Sequence, residues 1–311
     1  MQLAERVGAC VACGSTGFAR WKTKTYQYSS GAASHEFQID RCDGCRSGFL
    51  NPPPSREALE EIYATSGHGL QAPVASADVL AAEELWPNAT LDGRRMVAGA
   101  LRRLGDAAPR TALDVGSGFG FFTQALVAAG FETTAINPGK YENAVFEDIN
   151  GFGPVPVMLD DYAPEAPFGV VLMSQVLEHI VDPLAALEQV ARMLHPEGVV
   201  VCAVPNFGSL AVRLLGVRDN ACLWVPEHVN YFSAAGLAAV MDRAGLAAGG
   251  FEHTTRIRPD ALVRRAPDFL PEQPLRAIVK HGQQPVTRVL DRLGWGTYMT
   301  AYATPVQADG A

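Results

Sequence analysis

Three observations predict an α/β protein in which a small metal-binding module precedes a doubly wound sheet of seven strands. From Thr111 onward, short apolar runs alternate with helix-like segments, the pattern of βαβ units around a parallel sheet. Residues 113–122, LDVGSGFGFF, carry an apolar strand into a glycine-rich bend ahead of a helix. Four of the six cysteines form two Cys-x-x-Cys pairs, Cys10 with Cys13 and Cys42 with Cys45. A chain of 311 residues accommodates one large core and one small unit.

The first unit covers residues 1–65. Within it, EFQIDRC alternates apolar and polar residues as a half-buried strand does. Asn51 and the three prolines after it stop regular structure, and Ser55 is placed to cap a helix through REALEEIY. Residues 66–91 read as a linker, because the stretch from Ser66 to Ala77 is rich in Gly, Ser, Ala and Pro. The second unit, residues 92–256, opens on a helical pattern near 92–104. Its strand candidates are TALDVG, ETTAIN, PVPVML, GVVLMS, GVVVCAVP and GGFEHTTRI. Residues 257–311 form a helical insertion, broken into two short helices at Gly282 and Pro285, and a final strand, TYMTAYA.

In a chain read as cytoplasmic, paired cysteines point to metal before disulfides. The spacing Cys-x2-Cys, 28 residues, Cys-x2-Cys suits tetrahedral zinc held by two knuckles at Cys10, Cys13, Cys42 and Cys45, with a redox dithiol as the alternative. Four thiolates close the coordination shell, so the metal is expected to be structural. Arg20, Lys22, Lys24, Arg41 and Arg46 make the module locally basic, and a lid or wall of a substrate pocket is its expected role, with protein binding as the alternative.

The glycines at 116, 118 and 120 let the backbone turn tightly and approach a ligand, and the helix behind them offers free N–H groups. A nucleotide-like ligand belongs at that edge. A dinucleotide fingerprint needs its third glycine at position 121, where this chain has Phe121, which argues against NAD.

The segment LDVGSGFGFFTQAL resembles the first motif of class I S-adenosylmethionine-dependent methyltransferases. FGVVLMSQVLEHIVDP and MLHPEGVVVCAVPN resemble that family's fourth-strand region and fifth strand, in the right order. PEHVNYFS is similar to a segment of the subset that carries an N-terminal zinc module, which includes sugar C-methyltransferases and related natural-product methyltransferases. The resemblance spans residues 10 to about 255. It implies a Rossmann-like seven-stranded methyltransferase sheet, ending in an antiparallel hairpin, behind a zinc-ribbon-like module.

By that resemblance, Asp114 and the loop Gly116, Ser117, Gly118, Phe119 and Gly120 line the methionine and ribose part of the cofactor, with Asn137 and Pro138 following the second strand. Asp160 or Asp161 sits near the adenine amino group, and Met173, Ser174 and Gln175 face the reactive sulfonium. Two positions depart from the family pattern. Asn137 stands where an acid usually accepts both ribose hydroxyls, and a neutral acceptor bonds them less strongly. Gly169 replaces the acid that commonly opens the fourth strand, and the sequence gives it no role.

Methyl transfer asks little of side chains, because a sulfonium is an excellent leaving group and positioning dominates. A base near the methyl is still useful for an acceptor that must lose a proton. The candidates are His228, Glu227, His179 and Tyr231, with Glu178 beside them. The resemblance favours Glu227 and His228, since a Glu-His pair in a similar segment lies at the substrate of sugar C-methyltransferases. The expected reaction moves a methyl group to oxygen or carbon of a small metabolite, such as a sugar nucleotide or natural-product intermediate. A non-catalytic zinc-ribbon scaffold with a decayed cofactor site and an RNA methyltransferase are the competing readings.

The chain is 48% hydrophobic and 19% charged, and no apolar run approaches the roughly 18–20 residues of a membrane span. Its start lacks the basic and apolar stretches of a secretory signal, so a cytoplasmic location is expected. The net charge of −8 argues against a nucleic-acid partner and favours a small molecule. The sequence carries no signal of oligomeric state.

Overall fold

The computed structural model describes residues 1–27, 34–66, 73–85, 87–218, 222–256 and 285–306. The N-terminal module begins with β1 (Phe18–Gln27), which pairs antiparallel with β2 (Ser34–Cys42); β2 in turn pairs with β3 (Gly48–Leu50). The expected strand EFQIDRC lies within β2, whose inner half is mostly buried. Helix α1 (Arg56–Ser66) starts where expected, with the Ala58 N–H donating to Ser55 Oγ at 3.2 Å.

The span expected as a linker holds helix α2 (Ser76–Leu85) and the start of α3 (Asn88–Leu101). Residues 78–85, DVLAAEEL, are rich in the strong helix formers Ala, Leu and Glu, and α2 forms without burying a single side chain. The α/β core then runs β4 (Thr111–Val115), α4 (Phe121–Ala128), β5 (Glu132–Ile136), α5 (Lys140–Asn150), β6 (Phe168–Ser174), α6 (Pro183–Met193) and β7 (Leu194–Pro205). It continues through α7 (Leu210–Leu215), β8 (Asn230–Tyr231), α8 (Ala234–Arg243), β9 (Leu246–Thr254), a helical segment over 285–292, and β10 (Tyr298–Pro305). Of the two helices expected in the insertion, the first lies outside the described residues.

The core sheet has the order β5-β4-β6-β7-β10-β9. β5, β4, β6 and β7 are parallel, and β10 runs antiparallel to both β7 and β9. Six of the seven residues of β6 are buried, as a central strand covered on both faces requires. Among the described residues the sheet has six strands, not seven. PVPVML makes only one bridge, Val155 to Ile136. Pro154 and Pro156 flank that residue and have no N–H to extend the ladder.

Chain order reverses at β4, with β5 on one side and β6 on the other, so a crevice opens beyond the carboxyl ends of these strands. The module closes against the same region. β3 pairs with β8 through Gly48–Tyr231 and Phe49–Asn230, and Ser233, which caps α8, donates its hydroxyl to the Cys45 carbonyl at 2.5 Å. Cys10, Cys42 and Cys45 share one buried cluster with Leu237, Val240 and Met241 of α8.

Candidate cofactor and transfer site

The glycine bend is built as its sequence demands. Gly116 and Gly120 have φ of +64° and +86°, and a Cβ at either would collide, with Val176 at the first and with Phe146 and Asn150 at the second. Beside the bend lies a cavity of about 320 Å³. It is lined by Val115, Gly116, Ile136, Asn137 and Pro138, by Met158, Leu159 and Asp160, and by Gln175, Val176 and His179. Neither Phe119 nor Phe121 is among its lining residues. Gln175 sits at φ +58°, a conformation that non-glycine residues adopt mainly where the surroundings impose it, and its N–H donates to the Ala203 carbonyl at 2.8 Å.

The module also contributes a wall, since Arg56, Leu59 and Glu60 of α1 line the cavity. Arg56 bonds Asp160 at 3.2 Å and Glu60 at 2.7 Å, both in exposed pairs. Asp160 is therefore at the cavity but engaged with α1, while Asp161 is not part of the lining. Met173 is fully buried within β6, one step below the cavity, and Ser174 is half-buried after it. Ser117 Oγ is buried with no hydrogen-bond partner.

At the His179 end, two chain segments meet. The Val229 N–H donates to the Glu178 carbonyl at 2.9 Å, and Asn230 Nδ2 donates to the Ile180 carbonyl at 2.6 Å. The rings of His179 and His228 lie 4.7 Å apart and perpendicular. His228 Nδ1 is 2.8 Å from the Cys222 carbonyl, which can only accept, so Nδ1 carries a proton and, in the neutral ring, the lone pair is on Nε2. Glu178, His179 and His228 each offer a donor atom within 4.8 Å of the others. Burial pushes the Glu178 carboxyl up to about 8 and raises that of Glu227 as well. Glu178 has no hydrogen-bond partner at either carboxylate oxygen. Tyr231 is placed differently: it stacks on Phe207, ring centroids 5.9 Å apart, inside the module-facing core.

The four cysteines converge. Sγ of Cys10 and Cys45 are 3.6 Å apart, those of Cys13 and Cys42 3.5 Å, and all four lie within 4.8 Å of one another. The cysteines are free, and a tetrahedral site with Zn–S bonds of about 2.3 Å has sulfur atoms about 3.8 Å apart, so the cluster fits that ion. Each pair is followed by a residue with positive φ, Gly14 at +74° and Arg46 at +66°, which turns the chain back around the cluster.

The family description "Methyltransferase domain" matches residues 91–248, just over half of the chain. The chain belongs to this methyltransferase family. It is similar to the ubiquinone biosynthesis O-methyltransferase of Caulobacter vibrioides, 30% identical over 125 residues, which cover 37% of this chain and 49% of that one. The same enzyme of Paramagnetospirillum magneticum is 35% identical over 126 residues, 38% of this chain and 49% of that one. The match spans about half the length of these curated relatives. In structure, the chain is similar to one in the complex between the Haloferax volcanii Trm112 methyltransferase activator and the putative methyltransferase. That likeness has a TM-score of 0.51 at 16% identity and covers 74% of this chain and 97% of that one.

Three positions of this methyltransferase differ from expectation or gain a role. Asp114 does not line the cavity; it is buried beneath the bend and accepts a 2.6 Å hydrogen bond from Thr123, tying α4 to β4, and burial lifts its carboxyl to about 7. Gly169 acquires a reason, since any Cβ there would run into the Pro109 carbonyl oxygen. Glu142 lines the cavity, buried to 1% exposure, and the motif reading passed over it. The available signal was a charge on the stripe that α5 buries, Glu142, Val145 and Phe146.

Proposed function

We propose that this protein transfers a methyl group from S-adenosylmethionine to an oxygen or carbon of a small-molecule metabolite. The observation that carries the reading is the cavity at the sheet's carboxyl edge, which runs from the glycine bend to His179, next to His228. The bend leaves room only because Cβ atoms are absent at its turning points, and beside it the buried Ser117 hydroxyl has no hydrogen-bond partner within the protein. When bound, the cofactor supplies a methyl group on a positively charged sulfur.

The chain's own residues do the rest. Gly116 and Pro138 line the cavity at the bend, Gln175 lines it from its constrained backbone conformation, and Arg56, Leu59 and Glu60 of α1 cover one side. His228 presents the Nε2 lone pair to the acceptor's proton, and the Cys222 carbonyl fixes that tautomer. Glu178 stands close enough to stabilise the imidazolium that results once its carboxyl is ionised. The relatives are named as O-methyltransferases, which favours an oxygen acceptor. Zinc at the four cysteines is structural in this reading: it fixes the sheet edge on which β8 pairs, and with it the segment that carries Glu227 and His228. No described helix is long and apolar enough to cross a membrane.

The test combines labelled S-adenosylmethionine with a panel of catechols, phenols and nucleotide sugars. His228→Ala should lower turnover on any accepted compound by about 10²- to 10⁴-fold while affinity for S-adenosylhomocysteine stays within about twofold. Unchanged turnover would remove His228 from the mechanism.

A further inference from the structure

We infer that Glu142 provides the acceptor for the cofactor's ribose hydroxyls, replacing the acid absent at Asn137. The inference rests on the reading that S-adenosylmethionine occupies this cavity. Asn137 ends β5 but is spent on the loop itself. Its Nδ2 donates to Asn143 Oδ1 at 2.7 Å and to the Gly139 carbonyl at 3.4 Å, and its Oδ1 faces the Gly118 N–H at 3.4 Å. An amide oxygen already facing an N–H is a poor acceptor for two vicinal hydroxyls. A carboxylate offers two oxygens and accepts more strongly.

Glu142 has that carboxylate in that place. It lies five residues beyond Asn137 in the first turn of α5, lines the cavity, and is 1% exposed, yet neither oxygen has a hydrogen-bond partner. A buried, unpartnered carboxylate is costly to keep unless something donates to it. The ordinary structural explanation is a capping box, in which a third-position Glu bonds the N–H of the residue that caps the helix. Glu142 occupies that position on α5, but neither of its carboxylate oxygens makes that bond. Gly139 completes the arrangement, because a Cβ there would occupy the space of the Glu142 carboxylate. The start of α5 also favours negative charge at this point.

The test is a calorimetric comparison of S-adenosylhomocysteine with its 2′-deoxy and 3′-deoxy analogues on wild-type protein, Glu142→Gln and Glu142→Met. Wild type should bind the parent compound about 10- to 100-fold more tightly than at least one deoxy analogue. Both variants should lose most of that preference, with ligand-free melting temperatures equal to or above wild type. Retained preference in both variants overturns the inference, as does a lowered melting temperature with preference intact, which marks a cap. Wild-type protein that binds none of the three compounds overturns the cofactor reading itself, whereas tight binding of the parent without any ribose preference overturns only the role of Glu142.

Discussion

The cavity beside the glycine bend and the Glu178–His179–His228 cluster next to it are made in different ways. The cofactor end is one sheet edge: β4, its glycine bend and the turn after β5 come from about 30 consecutive residues and rely on backbone geometry. The transfer end joins Glu178 and His179 to His228, and the module reinforces that junction through β3 and β8. The first end is robust because its shape is local. The second depends on distant pieces holding their places, so perturbations of the module should be felt in transfer before they are felt in cofactor affinity.

The strongest way to break this contrast is to disable the cysteine cluster. Cys45→Ser should cost several kcal/mol, because metal binding at such sites is folding energy, and lower the melting temperature on the order of 10 °C. Metal analysis should show loss of about one equivalent of zinc. The contrast fails if turnover survives that loss.

Next in size is the pH dependence of the transfer end. Glu178 titrates at about 8 in the folded protein, above the ordinary carboxylate range, because burial disfavours its charge. The folded state then binds more protons than the unfolded state between those values, so stability falls as pH rises through that window. The loss should be on the order of a few kcal/mol between about pH 5 and pH 8. Glu178→Gln should flatten it, as measured by urea unfolding at several pH values. An equal slope in the variant assigns the pH dependence elsewhere.

The smallest effect belongs to the module's contact with the cofactor end. The Arg56–Asp160 pair is more than half exposed on both sides and worth roughly 0–1 kcal/mol. Arg56→Ala should shift S-adenosylhomocysteine affinity by no more than about fivefold, and less in high salt. A larger change would make α1 part of the binding site in its own right.

What could be read from the sequence follows the same division. LDVGSGFGFF announced its strand, bend and helix because each of those is a local property of neighbouring residues. The cysteine spacing likewise predicted a cluster that the fold assembles. PVPVML looked like a strand by hydrophobicity, but two prolines without N–H groups allow it a single bridge. Residues 76–85 looked like linker from the glycines and serines before them, although their own propensity is helical. Asp114 was placed at the ligand by motif, whereas Thr123 holds it underneath. Glu142 shows only as a charge on the buried stripe of α5, and Gly169 carries no local signal, since their roles come from a cavity and a neighbouring carbonyl that only the folded chain brings to them.

The most direct measurement is a crystal structure of the protein grown with S-adenosylhomocysteine. The account predicts its amino-acid tail beside Gly116 and Ser117, its ribose against Glu142, and its sulfur directed toward Gln175 and His179. A ligand found elsewhere, or no ligand in this cavity at millimolar concentration, would contradict it.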